Sequence, residues 1–264
     1  RIGVLDNGLT YYIRHNELPE NRAEFYIAQK VGAVLEEESQ RGLAHFLEHM
    51  AFNGTANYPG KSMLDYLEKN GVKFGTNVNA YTGIDETVYM LIDVPTTNPG
   101  LVDSCLLVLH DWSSFISLEE EEIDKERGVI LEELRSRDNA DQRMLQKTLP
   151  IMYPNSNYGN RLPGGLPEVV ANFEYQTLRD YYKKWYRPDL QGIIVVGDID
   201  VDKIENRIKE MFADITLAED ATPRTYFPVE DNIEPIVAIA SDPEASNYSL
   251  MVFYKHDAIP YEAK

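Results

Sequence analysis

Apolar residues recur in two rhythms along this chain, every second position and every three to four, and the changes between them mark out its elements. Ile2-Gly3-Val4-Leu5 and Leu9-Thr10-Tyr11-Tyr12-Ile13-Arg14 flank Asp6-Asn7-Gly8, a turn that favours positive φ, so the chain is expected to open on a hairpin. Near alternation through Phe25 and Ile27 predicts a strand over 23–31. Acidic Glu36, Glu37 and Glu38 then lead to a short apolar helix over 43–52, with Ser39 near its N-cap and Asn53-Gly54 as its stop. A second helix over 61–70 follows the Tyr58-Pro59-Gly60 turn, ends at Gly71, and places Met63, Leu64 and Leu67 on its inner face. Stretches rich in β-branched and aromatic residues predict strands over 73–82 and 87–94.

Residues 101–115 form a buried helix in this reading, and 118–146 one long acidic helix or two in tandem, broken near Asp141. The Pro-, Gly- and Asn-rich stretch 153–167 is a loop, either a cover for a site or a plain surface connection. A helix over 173–186, a central strand over 191–197 and a closing helix over 201–212 complete a first domain, 1–213; Ile204, Ile208, Met211 and Phe212 form the stripe of the last helix. Periodicity lapses in the Thr-, Pro- and acid-rich text after Ala213, which predicts a linker over 214–235. Two further strands, 236–240 and 248–254, then begin a second unit over 236–264 that finds no helix to finish it.

The helix over 43–52 carries the chemistry. His45 and His49 stand one turn apart on one face, so their imidazoles can converge on one ion, and Glu48 lies beside them. A catalytic zinc takes three protein ligands and keeps a fourth position for water. The order H-x-x-E-H, the reverse of H-E-x-x-H, is the inverzincin signature, with Glu48 as general base. The third ligand must come from elsewhere, and the acidic helix supplies two acids on one face, Glu126 and Glu133, seven residues or two turns apart.

Four blocks, Gly42 to Thr55 (GLAHFLEHMAFNGT), Asn79 to Val88 (NAYTGIDETV), Glu126 to Leu134 (ERGVILEEL) and Tyr182 to Ile199 (YKKWYRPDLQGIIVVGDI), make the chain from about Asp6 to Phe212 resemble the pitrilysin/insulinase zinc peptidases, a family that includes the mitochondrial processing peptidase. The resemblance implies an α+β fold with a mixed, largely antiparallel sheet packed against helices, one Zn2+, and hydrolysis of peptides or small unfolded proteins. It implies His45, His49 and Glu133 as metal ligands, because the distal acid closes a Val-Ile-Leu-x-Glu-like run, here Val129-Ile130-Leu131-Glu132-Glu133. Counting from His49 favours Glu126 instead, unless the Tyr58-Pro59-Gly60 turn and the segment before Asn79 are insertions. With Glu133 as ligand, Glu126 is left to orient a ligand imidazole. Asn79, Ala80 and Tyr81 correspond to a strand beside the metal that takes a peptide as an added strand, although an ordinary sheet strand explains them too. Family members close two halves around a chamber, and the second half lends an Arg and a Tyr. This chain is therefore expected to be an N-terminal part that needs its C-terminal half or a partner subunit and is weakly active or inactive alone. The resemblance also admits a non-catalytic structural homologue or a small-molecule zinc hydrolase or lyase, and it favours the bacterial periplasm or cell envelope.

Composition adds exclusions. The 264 residues carry 44 acidic and 25 basic side chains, a net charge of −19, a field that repels phosphate backbones, so nucleic acid is not an expected partner. Such a charge suits basic peptides or simply keeps a surface solvated. No apolar run nears the roughly 20 residues of a membrane span. The lone Cys105 excludes an internal disulfide and sits in an apolar run as a core residue. His15, His110 and His256 lack ligand spacing. An Arg at position 1 is expected to reflect trimming by processing or design.

Overall fold

Alternation along the strands builds one wall of the core. In the computed structural model, which describes residues 1–256, β1 (Ile2–Val4), β2 (Thr10–His15), β3 (Arg22–Gln29), β4 (Val78–Thr82), β5 (Thr87–Pro95) and β6 (Gln191–Gly197) form a single sheet in the order β1-β2-β6-β3-β5-β4. β2 and β6 run parallel and every other pair antiparallel, so the fold is α+β with a mixed, largely antiparallel sheet. Register places Ile193, Ile27 and Tyr89 in one row across β6, β3 and β5, and Val195, Phe25 and Leu91 in the next; all six are fully buried. With one face buried, a one-residue slip would turn this whole set to solvent, so the register is strongly specified.

The helices are α1 (Leu43–Met50), α2 (Ser62–Lys69), α3 (Pro99–Ser114), α4 (Glu120–Arg137), α5 (Ala140–Met152), α6 (Pro167–Asn172), α7 (Tyr175–Trp185) and α8 (Val201–Met211). α3 packs on β3 and β5 through Trp112, whose ring stacks on Tyr89 at 5.3 Å and whose Nε1–H donates to the Ala51 carbonyl at 3.0 Å. That bond ties the core to the end of α1. The Tyr89 hydroxyl, deep under the sheet, meets the Tyr186 hydroxyl at 2.7 Å, which satisfies two buried polar groups at once.

Several boundaries differ from the sequence expectation for identifiable reasons. Residues 73–77 are a turn rather than the start of β4: Gly75 takes φ +78°, and the Asn77 amide N–H and side chain close the loop on Lys73. The acidic stretch is two helices, separated at Asp138-Asn139 rather than at Asp141, because Asn139 Oδ1 accepts from Gln142 N and caps α5. Ser39 lies in a short 3₁₀ turn, and the N-cap of α1 is Gly42 at φ +106°. The strands expected over 236–240 and 248–254 are not formed: Val237, Ile239, Tyr248 and Leu250 stand exposed, and no strand lies beside them among the described residues. The rest of that segment, 257–264, lies outside the described residues.

Candidate metal centre

α1 is buried almost all round, so its position is dictated by what packs on it. Its N-terminal amides, which no helix can satisfy internally, are met by Glu36, whose two oxygens accept from Gly42 N at 2.9 Å and Ala44 N at 2.8 Å. Burial pushes the Glu36 carboxyl up to about 8, against the pull of the Ala44 and Gly42 amides and of Arg161 and Arg41. Gly165 crosses directly over Gly42, and a Cβ there would fall 2.3 Å from the Gly42 Cα. The loop carrying Gly165 is pinned rather than free to swing: Asn157 donates to the Val34 carbonyl, Arg161 to that of Glu36, and Tyr158 to Asp85. These contacts make the loop a brace for α1.

So held, α1 presents His45 and His49 to α4. His45 Nε2 stands 3.5 Å from Glu133 Oε1, and His49 Nε2 stands 3.3 Å from Glu133 Oε2. A tetrahedral ion with bonds of about 2.1 Å separates its ligand atoms by roughly 3.4 Å, so these spacings fit a zinc-sized ion between the three side chains. One potential ligand atom from each residue lies within 4.8 Å of the others, the one such cluster among the described residues. Burial drives the His45 imidazole down to about 3, so it is neutral, as a metal ligand must be. Its Nδ1 is buried without a partner, which leaves the Nε2 side as the face on which this ring is engaged.

His49 is held from behind. Its Nδ1–H donates to Glu126 Oε1 at 2.7 Å. Burial lowers the His49 pKa, but the Glu126 hydrogen bond and the charges of Glu126, Glu48 and Glu133 outweigh it, and the net shift is upward. Burial raises Glu126, yet its hydrogen bonds from His49 and Asn53 bring it below the ordinary carboxylate value. The two acids on one face of α4 thus meet the two ring nitrogens of His49 from opposite sides, Glu133 toward Nε2 and Glu126 on Nδ1.

Glu48 is buried beside this cluster, and Thr82 Oγ1 donates to its Oε2 at 2.6 Å. Burial, opposed by Thr82 and His49, moves its pKa upward, in the direction a general base needs. Asn79, Ala80 and Tyr81 lie on β4, the sheet edge that ends in Thr82, with Asn79 and Tyr81 exposed. Thr82, Asn53 and Arg137 are parts of this centre that residue spacing did not indicate. Arg137 NH2 lies 2.7 Å from Glu133 Oε1, the oxygen that faces His45. Its place one turn after Glu133 was the available signal. His110 is structural: it stacks on Phe115 at 4.5 Å and pairs with Asp111 and Asp214.

Residues 12–164, more than half of the chain, match the family described as Insulinase (Peptidase family M16). The chain belongs to this family. Residues 172–259 match a second description, Peptidase M16 inactive domain. Over 254 residues the chain is 38% identical to the zinc protease PQQL-like of Arabidopsis thaliana, a match that takes 96% of this chain and 26% of the relative. It is 35% identical over 253 residues to the probable zinc protease PqqL of Escherichia coli strain K12, covering 96% of this chain and 27% of that protein. The chain thus spans about a quarter of the length of these curated relatives. The crystal structure of the first half of the periplasmic protease PqqL from Escherichia coli superposes with a TM-score of 0.81 at 36% identity, over 88% of this chain and 49% of that one. Pitrilysin, at 24% identity and a TM-score of 0.72, shares the fold. No helix among the described residues is long and apolar enough to cross a membrane.

Proposed function

We propose that this chain is the metal-binding part of a zinc endopeptidase, with His45, His49 and Glu133 as ligands and Glu48 as general base. The observation that carries the reading is the convergence of the two imidazoles on Glu133 at 3.3 to 3.5 Å with Glu48 buried alongside. Zinc held there supplies Lewis acidity to a peptide carbonyl and to a water molecule. Glu48, steadied by Thr82, takes the proton of the attacking water and returns it to the departing amine. Glu126 fixes the tautomer of His49 by accepting from Nδ1–H, which leaves Nε2 as the lone-pair nitrogen. No covalent enzyme intermediate is needed.

In the same reading a peptide substrate joins the sheet along β4. That strand pairs with β5 on one side and, beyond Val78, which the 73–77 turn covers, ends the sheet on the other, so the outward amides and carbonyls of the stretch up to Thr82 can take an extended chain by main-chain hydrogen bonds. Asn79, Ala80 and Tyr81 contact the peptide, and Thr82 places the scissile bond within reach of Glu48. The 236–264 segment begins a second domain joined by the 214–235 linker, and a C-terminal half or partner subunit completes the chamber. The name of the Escherichia coli relative supports a periplasmic or envelope setting.

The test is peptide cleavage by the full-length protein and its Glu48→Gln variant, with zinc content measured on both. The reading expects Glu48→Gln to keep its metal and lose turnover. Unchanged turnover in Glu48→Gln, or a wild-type protein that holds zinc and cleaves no peptide, contradicts it.

A further inference from the structure

The network behind His49 extends one layer further than the metal chemistry requires. Glu126 Oε2 accepts from Asn53 Nδ2 at 2.6 Å, and Asn53 Oδ1 accepts from Lys61 Nζ at 2.5 Å. Three elements are joined in this way: Asn53 follows the C-terminus of α1, Lys61 is the N-cap residue of α2, and Glu126 belongs to α4. Asn53 is buried at 5% exposure, whereas Lys61 is exposed.

The direction of these bonds is set by chemistry. A carboxylate only accepts and an ammonium only donates, so the group between them must accept on one side and donate on the other, as an amide does. Glu126 on one side and Lys61 on the other therefore fix together which way round the Asn53 amide sits. The amide in turn engages one oxygen of Glu126 and leaves the other for His49. Ending α1 does not explain the Asn53 side chain, because its backbone N–H already bonds the Met50 carbonyl at 3.0 Å and Gly54, at φ +131°, makes the turn.

We propose that Asn53 and Lys61 are positioning residues of the metal centre, which hold Glu126 in the orientation that aims His49 Nε2 at the ion. This rests on the assignment of His45, His49 and Glu133 as zinc ligands. Neither residue touches the metal or the substrate. Their removal loosens metal binding without dismantling the fold.

The experiment measures zinc affinity by competition with a chelating dye, and the absorption spectrum of the cobalt(II) form, in the full-length protein. The variants are Asn53→Asp, Lys61→Met and Lys61→Arg, with Glu133→Gln as the ligand control and the thermal midpoint of each metal-free protein as the fold control. Asn53→Asp turns the donor that faces Glu126 into an acceptor and is expected to weaken zinc binding about tenfold, the lower end of the range for groups that support a metal ligand from behind, and to shift the cobalt bands. Lys61→Met is expected to weaken it several-fold and Lys61→Arg to restore it, with metal-free midpoints unchanged. Wild-type affinity in Asn53→Asp, or equal losses in Lys61→Met and Lys61→Arg, overturns the proposal. Should Asn53→Asp fail to fold, the pair at the exposed Lys61 still decides. A Glu133→Gln variant that binds zinc as wild type does refutes the ligand assignment itself, and this proposal falls with it.

Discussion

Replacing Glu126 with Gln keeps the size and shape of the side chain behind His49 and removes its charge and one of its acceptors. The wild-type carboxylate accepts twice, from His49 Nδ1–H at 2.7 Å and from Asn53 Nδ2 at 2.6 Å, in a half-buried position. An amide offers one acceptor and one donor, so Gln must turn its NH2 toward either His49 or Asn53, and one buried donor loses its partner. Such a loss costs about 1–3 kcal/mol. Charge assistance to the surviving bond is lost as well. Expressed as metal affinity, this is a drop of about 10- to 100-fold, the range for outer partners of ligand imidazoles. Glu133→Gln removes the proposed third ligand and should cost more. Zinc competition against a chelating dye, run on both variants in parallel, reads the two losses directly. A Glu126→Gln loss larger than that of Glu133→Gln would reverse the roles given to the two acids, and a loss below about threefold would show that the Nδ1 contact does not matter to the metal.

Three further outcomes follow from other contacts. Arg137, largely exposed and 2.7 Å from Glu133, competes for the charge a cation would use, so Arg137→Ala should tighten zinc about two- to fivefold in the same competition assay, and weaker binding would contradict this. Burial raises Glu36 from its ordinary 4.5 to about 8, so the folded chain binds the extra proton between those values; the stability this confers is complete below pH 4.5 and lost as pH rises through 8. Thermal midpoints of the metal-free protein should therefore fall from pH 5 to 8, less steeply in Glu36→Gln, and an equally steep fall in the variant would refute the assignment. Trp112→Ala removes a fully buried indole from against Tyr89 and from the Ala51 carbonyl, and should cost about 3–5 kcal/mol in urea unfolding; a loss under about 1 kcal/mol would mean that α3 does not brace α1.

What was legible in the sequence was what is local. His45, Glu48 and His49 share one short helix, so their mutual placement follows from helical pitch alone. Glu126 and Glu133 also share a face, but pitch cannot say which end of α4 lies nearer α1; that depends on how the two helices cross, and the crossing sets Glu133 toward Nε2 and Glu126 on Nδ1. Thr82, Asn53 and Lys61 had no local signal, since their partners lie 34, 73 and 8 positions away and a strand end, a helix stop and a helix start already accounted for them in turn. The break between α4 and α5 was misplaced because Asn139 and Asp141 are both able caps, and only the Asn139 bond to Gln142 distinguishes them. The strands expected after 236 have the right side chains, but a strand also needs a neighbour to pair with, and pattern alone does not supply one.

The most direct test is a crystal of the full-length protein with zinc, measured on both sides of the zinc absorption edge. The account predicts one anomalous peak bonded at about 2.0–2.2 Å to His45 Nε2, His49 Nε2 and an oxygen of Glu133, with Glu126 still on His49 Nδ1. A peak bonded to Glu126 in place of Glu133, or no peak between the two histidines, would contradict it.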